Sequence, residues 1–291
     1  MALNGEQNAL WKVWEERDPI TIPGTCYTLR GFSIAALRTN FYVKELGVML
    51  DGGLSAEYSP DHIFITHSHT DHIASLPFHM YATKPNSKIQ IYCPEDSCHN
   101  IDKMIKSMIN INNELPNIDN NNPYYDLIPV KEGSFYLTIR NRKFRIEVIK
   151  CYHTISCVGY GFIEVRNKLN DEYMKLPQKD IAELRKSGVE ISHEVEYPIF
   201  CYLGDTSRKI LENKEIEKYK NIMIECTFIE KEDLGQADQT LHMHWDYMEN
   251  YIMSHSEITF ILYHFSRRYK RSEIKKFFDN AKLSNIIPWI N

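Results

Sequence analysis

The stretch Ile63-Phe64-Ile65-Thr66-His67-Ser68-His69-Thr70-Asp71-His72 decides the reading of this chain, because a short apolar run delivers four metal-binding side chains within six residues. On a strand, His67 and His69 stand two apart, so both imidazoles leave on one face. The turn that follows presents Asp71 and His72 toward a second ion. Three imidazoles with one carboxylate favour zinc over the oxygen-seeking magnesium and calcium. A polar turn with chance histidines is the plain alternative, and the rest of the chain counts against it.

Matching contexts recur. The segment from Phe144 to Tyr152 alternates apolar and polar residues as a half-buried strand does and ends at His153. The apolar run Pro198 to Leu203 leads into Gly204-Asp205-Thr206, and Ile258 to Tyr263 leads into His264. Sites of open α/β sheets lie beyond the C-terminal ends of their strands. Five histidines and two aspartates (His67, His69, Asp71, His72, His153, Asp205 and His264) suffice for two ions if one carboxylate is shared. A single strand-end aspartate is more often a turn former or a helix cap. The joint occurrence in this order carries the signal.

The ordered pieces HSHTDH, CYHTISCVGYGF, YLGDTS, ECTF, LHMHWDYME and YHFSRRY, spread from Leu29 to Lys276, resemble the motifs of tRNase Z, in its short, plant-type form. That tRNA 3′-end endonuclease belongs to the metallo-β-lactamase superfamily. The resemblance implies an α/β chain with the metallo-β-lactamase four-layer αββα sandwich. It implies two zinc ions per chain: one held by His67, His69 and His153, the other by Asp71, His72 and His264, with Asp205 bridging. It also implies Asp71 as the residue that orients the attacking water, Glu225 and His242 as the pair that protonates the leaving 3′-oxygen, and Arg268 as a phosphate clamp. His244, two residues on, is an alternative donor. Cys157 departs from the pattern, since plant-type relatives carry a serine there. The implied activity is zinc-dependent phosphodiester hydrolysis that removes the 3′ trailer of precursor tRNA. Two-metal sites of this kind generate a hydroxide at neutral pH and stabilise charge building on phosphorus. A broader hydrolase, acting as a general RNase or DNase or on β-lactams, is the alternative, and a binding protein without catalysis a third. Implied partners are RNA, above all precursor tRNA, other single-stranded nucleic acid, and a second copy in a homodimer.

Length and composition are consistent with this. The 291 residues show no linker rich in Pro, Gly or Ser and no repeat, so one metallo-β-lactamase-fold domain is expected over 26–291, with a reduced arm at about 166–197 and an N-terminal extension at 1–25. In that extension Leu10, Trp11 and Trp14 stand at helical spacing, which predicts a docking helix. No apolar run is long enough to span a bilayer, and Met1 to Asp18 holds four acidic residues where a signal segment would be basic and then apolar. An intracellular protein, cytoplasmic or nuclear and without a membrane partner, is expected.

Seven cysteines, an odd number, sit mostly in apolar contexts and read as small core residues. The Asn- and Pro-rich stretch Ile109 to Tyr125 reads as a surface loop, and Arg166 to Tyr197 as a mostly helical segment. The net charge of −5 is no bar to an RNA substrate, because phosphate affinity depends on where cations lie. Two basic clusters stand out. Arg140, Arg142, Lys143 and Arg145 read as a solvated face, whereas Arg267, Arg268, Lys270, Arg271, Lys275 and Lys276 follow directly on His264.

Overall fold

The computed structural model describes residues 12–55, 58–80, 87–114 and 124–291. Strands β1 (Ile20–Thr21), β2 (Thr28–Ile34), β3 (Arg38–Val43), β4 (Val48–Leu50), β5 (His62–Phe64), β6 (Ile89–Pro94) and β7 (Tyr125–Val130) form one sheet in chain order. Strands β8 (Gly133–Ile139), β9 (Arg142–Tyr152), β10 (Ser156–Leu169), β11 (Ser192–Tyr202), β12 (Asn221–Glu225), β13 (Thr259–Tyr263) and β14 (Ile286–Pro288) form the second. Each sheet is antiparallel over its first strands and parallel over its last four. The parallel strands β12 and β13 are buried almost throughout, which is why they read as unbroken apolar runs.

Three apolar layers hold four structural ones together. Between the sheets, Phe41, Phe64, Tyr160, Phe162, Tyr202, Tyr263 and Trp289 interdigitate with edge and offset ring contacts. Outside the first sheet, Met49, Ile63, Ile65 and Ile91 pack on Leu76 and Met80 of α3 (Leu76–Met80) and on Ile101, Ile105 and Ile109 of α4 (Glu95–Asn113). Outside the second, Cys201, Ile222 and Ile224 pack with Trp245, Met248 and Ile252 of α7 (Trp245–Ser254) and Ile274 and Phe278 of α8 (Arg271–Ala281). This is the αββα sandwich. The remaining helices are α1 (Lys12–Glu15), α2 (Thr70–Ile73), α5 (Gln178–Lys186) and α6 (Leu234–Thr240).

Two expectations of the sequence change. Ile109 to Asn113 continue α4, because the spacing of Ile101, Ile105 and Ile109 keeps one stripe in the core; the Asn-rich run beyond it falls largely outside the described residues. The segment 166–197 is more strand than helix: β10 and β11 pair from Tyr160 opposite Tyr202 to Leu169 opposite Ser192, and α5 sits only near the tip. Cross-strand pairs stabilise this hairpin, with Lys143 reaching Glu194 at 2.6 Å and Arg145 reaching Glu196 at 2.6 Å from neighbouring β9.

Trp14 of α1 is buried, its indole Nε1 donates to the Ser55 carbonyl at 2.8 Å, and its ring meets Tyr58 edge-on. Leu10 and Trp11 lie outside the described residues. Five of the seven cysteines are buried, none is in a disulfide, Cys98 is partly buried and only Cys26 is exposed. Among the described residues, no helix is long and apolar enough to cross a membrane.

One glycine controls the close approach of the sheets beneath the histidines. A Cβ on Gly204 would lie 2.6 Å from Cys157 Sγ, 2.7 Å from Thr66 Cβ and 2.9 Å from the Val158 carbonyl. Gly204→Ala is therefore expected to lower stability by about 1 to 3 kcal/mol, as overpacking does, and to displace the adjacent Asp205. Chemical denaturation checks this, and an unchanged midpoint would show that the neighbours yield freely.

Candidate active site

Strand ends deliver the site. His67 and His69 follow β5, Asp71 and His72 open α2, His153 follows β9, Asp205 follows β11, Glu225 ends β12, and His264 follows β13. The structure brings all seven expected ligands together. In one group, single donor atoms of His67, His69, His153 and Asp205 lie within 4.8 Å of one another; in a second, those of Asp71, His72 and His264 do so. Asp205 connects them: its Oδ2 lies 3.6 Å from His67 Nε2 and 3.5 Å from both His72 Nε2 and His264 Nε2.

The outward nitrogens fix how the rings present themselves. His72 Nδ1 donates to Asp51 Oδ2 at 2.8 Å. Thr66 Oγ1 gives its proton to Asp51, so at 3.0 Å it accepts from His67 Nδ1. His153 Nδ1 donates to the Leu241 carbonyl at 3.2 Å, and His264 Nδ1 donates at 3.0 Å to Thr227 Oγ1, whose own proton goes to Glu225. Four rings thus hold a proton on Nδ1 and turn the Nε2 lone pair inward. The inner nitrogens then meet each other: His67 Nε2 and His153 Nε2 each stand 3.1 Å from His69 Nδ1, and His72 Nε2 stands 3.3 Å from His264 Nε2. Lone pairs so close repel unless a cation lies between them. Asp205 Oδ1 is buried and has no hydrogen-bond partner among the described residues, which fits the same need.

Electrostatics agree. Burial opposes charge on His72, but Asp205 and Asp51 outweigh it and raise this imidazole well above its ordinary range, so the spot demands positive charge. Burial would raise the Asp71 carboxyl, yet the facing His264 and His72 imidazoles outweigh it and hold this carboxyl well below the usual carboxylate range. The histidine-rich donor set suits zinc or a similar late transition metal. Backbone strain marks the place too: Ala36, Asp51 and His264 adopt positive φ of 57°, 60° and 65°.

His242 stands beside this cluster, its ring 4.8 Å from His153 and 5.4 Å from His264 between centroids. Its Nδ1 donates to Glu225 Oε1 at 2.8 Å. Glu225 is fully buried and also accepts from the Thr206 and Thr227 amides. Burial disfavours charge on His242, but the facing carboxylate and its hydrogen bond prevail and push the imidazole up to about 9. His244 sits differently. It is fully buried, donates from Nε2 to the Glu230 carbonyl at 2.8 Å and accepts at Nδ1 from the Asp246 amide, capping α7. His244→Ala is accordingly expected to cost about 1 to 2 kcal/mol of stability through the absent cap and hydrogen bond. A denaturation midpoint unchanged by the substitution would rule out that role.

A cavity of about 590 Å³ opens onto the cluster, lined by His69, Asp71, Asp205, His242 and His264 and rimmed by Arg38, Arg267 and Arg268. Arg268 is already engaged: its guanidinium pairs with Asp233, donates to Gln236 Oε1 at 2.8 Å and lies over the Phe228 ring. The basic cluster that precedes His153 is neutralised, with Arg140 on Asp61, Arg142 near Glu164, Lys143 on Glu194 and Arg145 on Glu147 and Glu196. Cys157 is buried, with its Sγ 4.0 Å from the Val158 carbonyl and hydrogen-bonded to the Cys151 side chain. Sequence reasoning passed over Asp51, Thr66, Thr206, Thr227 and Arg38. Asp51 carried a usable signal, since it follows the apolar run Val48 to Leu50 as Asp205 and His264 follow theirs.

A four-layer sandwich whose strand ends gather histidines and aspartates defines a protein of the metallo-β-lactamase fold. The chain belongs to the family described as Anti-Pycsar protein Apyc1, whose profile matches residues 48–280. It is similar to tRNase Z TRZ1 of Arabidopsis thaliana, 27% identical over 272 residues that cover 90% of this chain and 92% of that protein. It is also similar to the chloroplastic tRNase Z TRZ2 of the same plant, 29% identical over 262 residues that cover 86% and 70%. Among solved structures, the short form of human tRNase Z superposes with a TM-score of 0.54 at 16% identity, covering 90% of this chain and 95% of that one. The metallo-β-lactamase fold protein YhfI from Bacillus subtilis gives 0.58 at 15% identity, covering 94% and 98%. These two superpositions speak for the fold.

Proposed function

We propose that the protein is a metal-dependent phosphodiesterase of tRNase Z type, an endonuclease that removes the 3′ trailer of precursor tRNA and works with two zinc ions per chain. The observation that carries this reading is the pairing of seven convergent ligands with a separate, carboxylate-held imidazole on the same cavity. His67, His69 and His153 would hold one ion, Asp71, His72 and His264 the other, and Asp205 both. When bound, such a pair activates water and stabilises charge on phosphorus. Asp71, held by the Ala36 amide at 2.9 Å, orients the attacking water and accepts its proton. His242, kept protonated by Glu225, gives the leaving 3′-oxygen its proton from Nε2. Arg268, tied to Asp233, serves as a positioning residue that anchors α6 next to His242. The homodimer belongs to this reading and is tested by sedimentation.

A second reading, a phosphodiesterase of less structured substrates, is favoured by the arm at 166–197. Acidic side chains there outnumber Lys and Arg by seven to six, a poor surface for gripping a folded RNA backbone. Cleavage of precursor tRNA, unstructured RNA, single-stranded DNA and a cephalosporin by one zinc-loaded preparation separates the readings. Precise cleavage of precursor tRNA alone supports the first, similar rates on all nucleic acids the second, and turnover of the cephalosporin alone overturns both.

A further inference from the structure

We propose that Arg38 and Arg267 form a binding site for the phosphate next to the scissile one, so that the preferred substrate carries at least two consecutive phosphodiesters. This rests on the phosphodiesterase reading of the central site. Each sheet contributes one side of the site. The turn between β2 and β3 and the turn after β13 lie side by side: Ala35 bridges Ser266, and the Ala35 amide donates to the Phe265 carbonyl at 3.1 Å. Both turns are tied to the centre, since the Ala36 amide donates to Asp71 Oδ2 at 2.9 Å and the Ser266 amide to the Thr227 carbonyl at 2.9 Å. The shared rim therefore keeps a fixed position relative to the clustered ligands.

Of the three arginines on that rim, two remain available. Arg268 is neutralised by Asp233. Among the described residues, Arg38 meets only the neighbouring Leu37 carbonyl, at 3.1 Å, and Arg267 has no hydrogen-bond, ionic or ring partner. Both line the cavity that holds Asp71, Asp205, His242 and His264. A guanidinium facing such a cavity, without a carboxylate of its own, suits a phosphate oxygen, which its fork binds in bidentate fashion.

The test compares a dinucleoside monophosphate, with one phosphate, and a trinucleoside diphosphate, with two, on the zinc-loaded protein. The wild type is expected to favour the second by about tenfold in KM, the worth of a charge-assisted hydrogen bond. In the Arg38→Ala/Arg267→Ala double variant that gap closes to within about twofold, and the salt slope of binding to a short single-stranded RNA, read by stopped-flow anisotropy before turnover, becomes shallower by about 0.7 for each phosphate that is no longer neutralised. Lys276→Ala, an exposed cation on α8 away from the rim, keeps both the gap and the slope. A gap that survives in the double variant, or one that Arg268→Ala alone abolishes, overturns the assignment while leaving the phosphodiesterase intact. A wild type with no gap shows a single-phosphate substrate and overturns it likewise, as does a wild type that turns over neither compound; the parent reading falls only if precursor tRNA and the other nucleic acids are not cleaved either.

Discussion

His242→Ala is expected to retain its metals and yet lose about 10² to 10⁴ in rate on RNA, the usual worth of a general acid. The ring is positioned by Glu225 and belongs to neither the His67 group nor the Asp71 group, although one of its nitrogens also lies within 4.8 Å of donor atoms of Asp205 and His264; retention of both metals by the variant therefore tests whether it is a ligand. A phosphodiester with a nitrophenolate leaving group hardly requires that proton, so its hydrolysis should fall far less. The pH profile gives a second reading of the same step. The acid works only while protonated, and Glu225 raises His242 to about 9, so the rate on RNA should hold through neutral pH and decline as pH rises past that region. Cations at the adjacent ligands shift this limb to lower pH. Glu225→Gln removes the raising charge and should bring the limb down further, toward the ordinary imidazole value of about 6.5. In His242→Ala the limb should vanish. Equal losses on both substrates would show that His242 acts on binding or on the fold and does not serve as the proton donor.

Asp205→Ala is expected to lose more than about 100-fold in activity and to fall below one bound ion per chain, since even partners outside the ligand shell are worth about 10 to 100-fold. The carboxylate touches imidazoles of both groups, so its removal affects both positions at once. Asp51→Asn should show the outer-partner effect by itself, about 10 to 100-fold in metal affinity, because it loosens His72 and Thr66 without removing a ligand. Metal analysis of the purified variants decides the matter. Two ions retained by Asp205→Ala would mean that the carboxylate is no bridge.

Much of this site was legible because sheets of this type end their strands at one edge, and an apolar run followed by His or Asp marks that edge directly. The HSHTDH run, His153, Asp205 and His264 all carry that signal, and the structure brings them within one cluster. The choice between His242 and His244 was not legible, since both follow α6 in one short loop. It is set by what each ring meets: a carboxylate and a cavity for His242, a carbonyl and a helix N-terminus for His244. The ion pair of Arg268 was not legible either. Its position in the motif places it near the ligands, but the partner that occupies it, Asp233, lies 35 residues earlier and shows only in three dimensions. The arm misled through composition, because Lys, Glu and Leu favour helix in isolation while pairing with each other holds β10 and β11 extended.

Hydrolysis of phosphodiesters by two metal ions bound at this site is the proposal on which the mechanism rests. Its most direct test is a stoichiometric titration of zinc into chelator-stripped protein while cleavage of an RNA bearing a 3′ trailer is followed. The stripped protein is expected to show no cleavage, and the rate to rise until two equivalents per chain and then level off. Full activity without added metal, or a plateau at one equivalent, would contradict it.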